Sequence, residues 1–351
     1  MNFLITLIIL LFILGIIVLI HEFGHFITAK KSGVYVDEFS LGMGPVIFKY
    51  KPKNSETTYS IRAFPIGGFV SMAEKESEEL KIKKDRVLEN KSVLQRLLVL
   101  MMGIIMNFVL AIVIFFISGL MYGRPIEDAV IGVIAENSPS EIAGLDVGDK
   151  IIKINDVSIK NWDDVLLEIS AKKLQENYSF EVLKGDGSIR VYNIKPIVSD
   201  IDGEESRMFG IGSGVTKYEK GFVSALKYSI DGTYSTVKTI FKIVGSLFTG
   251  DVSLNNLSGP VGIYTVVDSV KSAGLQPILY LIAYLSLNVA IINLLPIPVF
   301  DGGRVLVLLI ETITRKKASD KLEIMLNYIG FLLMIILMLY VTFNDISRLF
   351  G

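Results

Sequence analysis

Four long apolar segments organise this chain of 351 residues. They cover residues 1–20, 93–121, 277–310 and 328–343, and the first contains no charged side chain. Because a helix of 20 residues spans about 30 Å, the thickness of the hydrocarbon core of a bilayer, we assign one membrane crossing to each segment. The first segment lacks the basic start and the small-residue cleavage site of a signal peptide, which favours a retained helix. We therefore predict an α-helical polytopic membrane protein with about four transmembrane helices.

A different pattern occupies residues 124–200, where apolar residues come in short groups. The segments AVIGVIAE and KIIKIND are typical of strands, and NWDDVLLEISAKKL begins with an asparagine cap and continues with helical spacing. YSFEVLKGDGSIRVYNIK places an Asp-Gly turn between two alternating strands, which predicts a hairpin. The stretch SPSEIAGLDVGDKIIKIND is similar to the bacterial PDZ signature. These features predict a PDZ-like α+β domain inserted between two halves of a membrane core, at residues 1–121 and 276–351.

Two shorter patterns flank this domain. Residues 45–70 alternate apolar and polar positions on both sides of a polar turn, which predicts a β-hairpin. From Phe222 to Phe248, apolar residues recur every three or four positions and the lysines lie off that stripe. This spacing predicts an amphipathic helix that lies along the membrane surface or against the protein, within a linker region at residues 201–275.

Positive charge is concentrated in two of the predicted loops. Residues 30–96 contain thirteen Lys and Arg, and four more lie between the last two apolar segments. By the positive-inside rule both loops are cytoplasmic, so both termini and the PDZ-like domain are extracytoplasmic. The net charge of −1 does not indicate a nucleic-acid partner. The chain contains no cysteine, which excludes disulfides and thiolate metal ligands.

The first apolar segment ends in the sequence HEFGH, residues 21–25. On a helix, positions i and i+4 share a face, so His21 and His25 can direct ring nitrogens at one metal ion, with Glu22 close enough to hold a metal-bound water. Zinc lowers the pKa of such a water, and a carboxylate can take its proton as the water attacks a carbonyl. The alternative is a pair of ordinary buried histidines. The chain has only these two histidines, at the ligand spacing, which favours a zinc site with Glu22 as the catalytic residue.

A catalytic zinc ion needs a third protein ligand and an open fourth position. With no further histidine and no cysteine, the third ligand must be a carboxylate, and Asp301, Glu311 and Asp345 lie in apolar surroundings. Pro296 and Pro298 remove backbone donors and interrupt a helix just before Asp301. Non-helical backbone at membrane depth is tolerated only where protein or a cavity satisfies it, which marks a buried polar site. We therefore predict Asp301 as the third ligand.

HEFGH on a first membrane helix, NLLPIPVFDGG on a late one and a PDZ-like insert between them resemble the site-2 protease family, and within it the bacterial sigma-E regulator type. The resemblance covers nearly the whole chain. It implies an intramembrane zinc metalloprotease of the bacterial cytoplasmic (inner) membrane, in contact with the lipid bilayer and with membrane-protein substrates. It also implies zinc (Zn²⁺) ligation by His21, His25 and Asp301, with Glu22 as the catalytic glutamate.

The same resemblance implies residues that handle substrate. Asn293, in the N-x-x-P-x-P part of the motif, matches a family position that handles substrate, and Asn288 is a second such match. The stretch Gly67–Val70 and the hairpin before it resemble the membrane re-entrant β-element of the family, which assigns Gly67 and Gly68 to the substrate site.

A strand of the predicted hairpin is suited to hold the substrate backbone. A membrane helix resists proteolysis because its carbonyls are hydrogen-bonded internally, so the substrate must be unwound. An edge strand can hold the unwound segment by β-addition, which supplies main-chain hydrogen bonds. We predict the strand at residues 59–64 for this role, which places Ile61 and Ala63 beside the substrate.

This sequence departs from the family pattern at three places. Phe300 occupies the usual leucine position, Arg304 stands where many relatives carry histidine, and residues 124–200 have room for one PDZ domain where better-known relatives carry two. These differences concern the lining and gating of the site rather than its ligands. The sequence does not indicate an oligomeric state.

Three functions are consistent with these motifs. An intramembrane endopeptidase would act on an anti-sigma factor or on remnant signal peptides. A membrane-anchored PDZ scaffold with a non-catalytic metal site is the main alternative, and a divalent-metal carrier is a third. A scaffold has no use for Glu22, and a carrier would need acidic or histidine residues on several helices, so the sequence favours the protease.

Overall fold

The computed structural model describes residues 2–75, 82–126, 128–169, 176–201, 204–214, 217–249, 257–317 and 319–350. The helices are α1 (Asn2–Lys31), α2 (Val93–Tyr122), α3 (Pro139–Ile142), α4 (Trp162–Ile169), α5 (Phe222–Thr249), α6 (Pro260–Val270), α7 (Leu275–Leu294), α8 (Asp301–Thr314) and α9 (Asp320–Phe350). The strands are β1 (Val36–Tyr50), β2 (Thr58–Met72), β3 (Arg124–Ile126), β4 (Ile131–Ile134), β5 (Lys150–Ile154), β6 (Val157–Ser158), β7 (Tyr178–Leu183), β8 (Ile189–Ile194), β9 (Ile197–Ile201), β10 (Glu204–Met208), β11 (Ile211–Ser213) and β12 (Lys217–Glu219). The chain forms two compact units: unit 1 comprises Met1–Met121 and Ala225–Gly351, and unit 2 comprises Tyr122–Ser224.

Within the described residues, four helices of unit 1 are long and apolar enough to cross a membrane. These segments are Phe3–Lys31, Val93–Tyr122, Leu275–Leu294 and Ile324–Arg348, in α1, α2, α7 and α9. At most 39% of any one of them is buried inside the protein. Apolar side chains therefore face outward along these helices, as expected where lipid is the solvent. The prediction of a mainly helical membrane protein with four apolar helices is confirmed.

The third predicted segment is two helices. α7 ends at Leu294, residues 295–300 are irregular, and α8 begins at Asp301. The first turn of α8 lies so close to this interruption that a Cβ at Gly302 or Gly303 would collide with the carbonyl oxygens of Leu294 and Ile297. The two glycines therefore allow α8 to fold back against the broken backbone, and the predicted interruption at the prolines is confirmed.

Residues 36–72 form a larger β-structure than the predicted hairpin at 45–70. Residues 38–41 of β1 lie opposite both 58–61 and 68–71 of β2, while residues 46–50 lie opposite 59–62. The two long strands are therefore bent, and their segments lie side by side in the order 46–50, 58–62, 38–41 and 68–72. The bends contain Gly42, Gly44 and Gly67, all with φ near +85° (86°, 87° and 83°). We call the outer segment at residues 68–72 the cavity strand.

The amphipathic helix is confirmed as α5, and it packs against the protein, one of the two placements expected from the sequence. Its buried positions are mostly small or polar, such as Ala225, Ser229 and Thr236, and they face α2, where Phe115 contacts Tyr228. Large residues of the predicted apolar stripe remain exposed, for example Tyr234 at 69% and Phe222 at 67%. Val237 and Val244 of the same stripe pack against the core beside Ile240, so the stripe is only partly exposed.

Helix α6 lies in the region that the sequence indicated as a linker. Asp345 of α9 is 4% exposed, and its Oδ2 accepts hydrogen bonds from the backbone N–H groups of Gly259 and Gly262, at 2.9 and 2.8 Å. A carboxylate at a helix N-terminus satisfies N–H groups that have no partner within the helix. α6 also packs through Val267 against α1 and α7. It is thus part of the membrane core.

Unit 2 is an α+β structure with its own hydrophobic core. The central sheet has the strand order β6–β5–β7–β8, and its inward residues include Ile151, Tyr178 and Phe180, all at most 2% exposed. The segments expected as strands and the Asp-Gly hairpin are present, and the Asn161 side chain caps α4. The unit extends beyond residue 200, because β11 pairs with β4 and β12 pairs with β3. Strands of three residues carry too little pattern to be recognised without their partners.

Candidate active site

Three side chains from two distant parts of the sequence converge inside unit 1. His21 and His25 lie on α1, and Asp301 is the first residue of α8. Asp301 Oδ2 lies 3.1 Å from His21 Nε2 and 3.2 Å from His25 Nε2, and the two Nε2 atoms are 3.2 Å apart. Both histidines are buried, at 8% and 7% exposure. The three atoms form a compact, buried triangle between α1 and the start of α8.

Hydrogen bonds to the other ring nitrogens define which atoms of this triangle carry protons. His25 Nδ1 lies 2.8 Å from the backbone oxygen of Val99, which can only accept, so Nδ1 carries the proton and Nε2 presents a lone pair. The amide nitrogen of Asn107 lies 3.4 Å from His21 Nδ1, and the buried amide oxygen has no hydrogen-bond partner among the described residues. An amide turned to accept from His21 Nδ1–H satisfies that oxygen and leaves His21 Nε2 unprotonated as well.

The triangle therefore contains three lone-pair atoms and no proton donor, consistent with Asp301 Oδ2 lacking a hydrogen-bond partner. Such an arrangement is repulsive unless a cation lies among the atoms. Zinc bonds to nitrogen and oxygen are about 2.0–2.1 Å long, so two ligands of a zinc tetrahedron lie about 3.3 Å apart. The observed separations match this value. The donor set of two imidazoles and one carboxylate, with a fourth position open, fits a catalytic zinc ion.

Glycine residues provide the space for the ligands. A Cβ at Gly103 of α2 would collide with His25 Nε2 and would lie 2.8 Å from His21 Cε1. A Cβ at Gly24 of α1 would collide with the backbone of Met102, so α1 and α2 are in close backbone contact beside the site. Any side chain at 103 would occupy the volume of the imidazoles. Gly103 was not predicted as part of the site, because an isolated glycine in an apolar helix carries no chemical signal.

The other two candidate ligands lie elsewhere. Glu311 pairs with Arg96 at 2.9 Å, and Asp345 binds backbone N–H groups at the start of α6. The interruption at the prolines predicted Asp301 as the third ligand, and the position of Asp301 beside both histidines agrees with that prediction. Asn107, the one polar residue in the middle of the α2 apolar segment, was visible in the sequence but had no assigned role. Its contact with His21 supplies one.

A cavity of about 170 Å³ opens beside the three ligands. It is lined by His21, Glu22, His25, Phe69, Val70, Met72, Glu74, Leu88, Val99, Leu100, Asp301 and Arg304. The Glu22 carboxylate is in hydrogen-bonding contact with the backbone N–H of Val70, and a Cβ at Gly68 would lie 3.5 Å from Glu22 Cγ. The cavity strand therefore borders the same space as the metal ligands and Glu22.

The residues assigned to substrate handling lie at different distances from this cavity. Among the described residues, the lining includes Phe69, Val70 and Met72 of the cavity strand but not Ile61, Ala63, Gly67, Gly68, Asn288 or Asn293. Ile61 lies opposite both Leu41 and Phe48, so its segment has neighbours on both sides. Asn288 donates to the backbone oxygen of Tyr284 at 3.0 Å, and Asn293 lies half-buried in the last turn of α7. Arg304, which also lines the cavity, pairs with Glu74.

These observations define a metallopeptidase site built among apolar helices. The sequence profile of peptidase family M50 matches residues 9–337, so the chain belongs to this family, the site-2 proteases. A protein of Clostridium acetobutylicum that carries the name of a zinc metalloprotease is 38% identical over 333 residues, 95% of this chain and 94% of the relative. The regulator of sigma-W protease RasP of Bacillus subtilis is 31% identical over 424 residues, covering 98% of this chain and 99% of RasP. The predicted family, enzyme class and zinc cofactor are confirmed.

Single substitutions of the three ligands test the metal site. We expect His21→Ala, His25→Ala and Asp301→Ala each to lower bound zinc in purified protein by at least about tenfold, because the chain offers no other histidine or cysteine as a replacement. Zinc is measured by atomic emission against protein concentration. Glu311→Ala is the matched control, since it removes another carboxylate of α8, and it should keep zinc. Full zinc in Asp301→Ala would contradict the assignment of the third ligand.

Proposed function

We propose that this protein is an intramembrane zinc metalloprotease that hydrolyses peptide bonds in or near transmembrane segments of other membrane proteins. Its biological role would be regulated intramembrane proteolysis of an anti-sigma factor or the clearance of remnant signal peptides. The observation that carries the proposal is the position of Glu22 beside a complete three-ligand group, within helices that are long and apolar enough to cross a membrane. The name of RasP, a regulator of sigma-W protease, supports the first of the two roles.

The chemistry requires an activated water and a base. His21, His25 and Asp301 would hold the zinc ion, which supplies Lewis acidity to a water molecule and to the carbonyl of the scissile bond. Glu22 accepts a proton from the attacking water and returns it to the amine of the departing fragment. The bond between Val70 N–H and the Glu22 carboxylate orients this base toward the cavity. Asn107 and the Val99 backbone oxygen orient the two imidazoles.

The cavity strand is the best candidate to hold an unwound substrate. It is the outer segment of the sheet, paired with residues 38–41 on one side and bordering Glu22 and the cavity on the other. The segment at 59–62 has partners on both sides, so Ile61 would act on the substrate indirectly, by supporting the sheet. Ala63 follows this segment and would act beside the substrate as predicted. Gly68 belongs to the cavity strand and allows it to approach Glu22 closely, and Gly67 shapes the bend before it. Asn293 and Asn288 would bind the substrate from the α7 side.

The exposed side of the sheet supports the proposal of a membrane re-entrant element. Large apolar side chains are exposed in the bend of β1 and in the outer segment at residues 46–50, which lies at the opposite edge of the sheet from the cavity strand. They include Met43 (54% exposed), Ile47 (71%) and Phe48 (56%). Lysines 49, 51 and 53 accompany them. An apolar surface with adjacent lysines suits the boundary between lipid chains and headgroups.

We propose that the active site lies near the cytoplasmic face of the bacterial membrane and that unit 2 is an extracytoplasmic PDZ-like domain. The distribution of Lys and Arg supports this orientation, because residues 30–96 are rich in both and the first apolar segment has neither. The short helix α3, the Gly148-Asp149 turn and β5 follow in the order of the PDZ signature. This domain would admit substrates by size or by binding a chain terminus.

The two alternative functions are less well supported. A PDZ scaffold with a non-catalytic metal would not need Glu22 in the cavity. In the described part of the chain, the side chains that could hold a metal in a group of three or more are His21, His25 and Asp301, on α1 and α8. A carrier would require further ligands along a path across the membrane.

Substitution of Glu22 by glutamine separates the protease from both alternatives. The amide keeps the size of the carboxylate but cannot accept the proton of the water. We expect Glu22→Gln to retain bound zinc and to lower cleavage of a membrane-protein substrate by about 10²–10⁴-fold. Cleavage in reconstituted vesicles and zinc content are measured on the same preparation. Cleavage at the wild-type rate would exclude the proposed role of Glu22.

Substitution at Met72 tests main-chain pairing by the cavity strand. Because Val70 N–H points toward Glu22, the N–H of Met72, two residues on, points to the same side. Met72→Pro removes that donor, whereas Met72→Ala removes the side chain and keeps the donor. We expect the proline variant to lower kcat/KM at least about tenfold more than the alanine variant, with zinc retained. Equal effects of the two substitutions would show that the substrate is held elsewhere.

Single cysteines in this cysteine-free chain test the orientation. Lys53 is exposed in the β1–β2 turn, and Gly185 is exposed in the β7–β8 turn with open space around it. A membrane-impermeant maleimide added to intact spheroplasts should label Gly185→Cys and should label Lys53→Cys only after lysis. Labelling of both sites in intact spheroplasts would contradict the proposed topology.

A further inference from the structure

Arg62 connects three of the four segments of the bent sheet near the active site. It lies in the segment 58–62, and its Nε donates to Ser40 Oγ at 3.0 Å and its Nη2 to Glu38 Oε1 at 2.8 Å. Its Nη1 donates to the backbone oxygen of Gly44, in the bend of β1, at 2.9 Å. The guanidinium carbon lies 4.9 Å from the centroid of the Phe69 ring, in the cavity strand.

These contacts place the guanidinium across one face of the sheet. Ser40 lies opposite Ser60 in one neighbouring segment and opposite Phe69 in the other, so the side chains at these positions share a face. Arg62 starts from the segment 58–62, passes over the segment 38–41 and ends on the ring of Phe69. A planar guanidinium can make these directed hydrogen bonds and stack on an aromatic ring at the same time, which a lysine cannot.

The network beneath the guanidinium is polar and largely closed to water. Ser40 and Ser60 are at most 5% exposed, and the Ser60 hydroxyl group contacts Glu38 Oε1 at 2.5 Å and Ser40 Oγ at 2.9 Å. Burial of Glu38 opposes its ionisation, but the hydrogen bonds from Ser60 and Arg62 outweigh burial and hold its pKa below the ordinary value. Glu38 is therefore a carboxylate at neutral pH, and removal of Arg62 would leave this charge unpaired.

The far end of this network reaches the active site. Phe69, under the guanidinium, lines the cavity, and the N–H of the next residue, Val70, contacts the Glu22 carboxylate. A shift of the cavity strand along or away from residues 38–41 would thus displace both the wall of the cavity and the proposed pairing edge. We propose that Arg62 is a positioning residue for substrate binding: it holds the cavity strand in register beside Glu22, and so sets the affinity for the unwound substrate backbone. This inference rests on the proposed role of the cavity strand.

The chain contains a matched control for this arginine. Arg86 also pairs with a carboxylate, Glu56, at 2.6 Å, and its guanidinium lies 5.4 Å from the centroid of the Tyr35 ring. Neither Glu56 nor Tyr35 lines the cavity. Tyr35 contacts the end of the cavity strand only through its backbone oxygen, which accepts from Ala73 N–H at 2.9 Å and is not altered by the substitution. Arg86→Met therefore removes side-chain interactions of the same kind at residues that do not line the cavity.

The first experiment compares Arg62→Met, Arg62→Lys and Arg86→Met in detergent-purified full-length protein. We expect Arg62→Met to raise KM for a transmembrane substrate at least about tenfold and to keep zinc, because the metal ligands lie outside the sheet. Since Val70 N–H of the cavity strand also orients Glu22, kcat should fall as well, but by a smaller factor than KM rises. Arg62→Lys should give an intermediate KM. Arg86→Met should leave KM within about twofold of the wild type. A wild-type KM in Arg62→Met, or an equal increase in Arg86→Met, would overturn the inference.

A covalent bond between the same segments tests whether position, rather than general stability, is the cause. Glu38 and Ser71 lie opposite each other, at a spacing that suits a disulfide, on the face that Arg62 covers. The second variant combines Arg62→Met with Glu38→Cys and Ser71→Cys. Glu38→Cys removes the unpaired carboxylate, and a disulfide between the two cysteines would link the cavity strand to the segment at residues 38–41. We expect oxidation to return KM to within about threefold of the wild type and reduction to raise it again. No restoration in the oxidised protein would show that Arg62 does not act through strand position.

The comparison with Met72→Pro separates this inference from the function on which it rests. If Met72→Pro raises KM and Arg62→Met does not, the cavity strand binds substrate but Arg62 does not position it. If neither change affects KM while Glu22→Gln still abolishes cleavage, the cavity strand is not the binding edge and both proposals fail, although the protease assignment stands.

Discussion

The structure depends on one electrostatic constraint. Three lone-pair atoms, from His21, His25 and Asp301, lie within 3.2 Å of one another among apolar helices. A divalent cation relieves this repulsion, and several features of unit 1 serve to maintain the geometry. α1 supplies two ligands from adjacent turns, the interruption at residues 295–300 brings a carboxylate to a helix start, and Gly103 leaves space for the imidazoles.

A second constraint concerns main-chain hydrogen bonds. In a membrane, a substrate segment loses its internal hydrogen bonds when it unwinds, and a sheet edge can replace them. The bent sheet offers such an edge next to Glu22, and Arg62 links that edge to two of the other segments. RasP of Bacillus subtilis aligns over 424 residues, more than the 351 of this chain, so it contains additional residues, whereas the Clostridium acetobutylicum relative aligns over 333. Relatives of different length thus share sequence identity with nearly the whole of this chain.

Sequence patterns predicted the features that are local or chemically distinctive. HEFGH specifies two ligands and a base by spacing alone, and Pro296 and Pro298 identify the interrupted helix that carries Asp301. Features that depend on distant partners were not predicted. β12 has three residues and is defined only by pairing with β3, and α6 is stabilised by Asp345, 83 residues after Gly262. The segment that contains Ile61 pairs with residues 38–41 on one side and 46–50 on the other, which excludes Ile61 from a sheet edge although its alternating pattern suited one.

The two halves of the metal site have a consequence for biosynthesis. His25 and Asp301 are separated by 276 positions (301 − 25). A ribosome-bound chain that has already inserted α1 and α2 and completed unit 2 still has no third ligand and no closed cavity beside Glu22. The nascent chain is therefore inactive during most of its own translation and gains the ability to cut only when α8 enters the bilayer. Neighbouring membrane proteins made at the same time are not exposed to an unfinished protease.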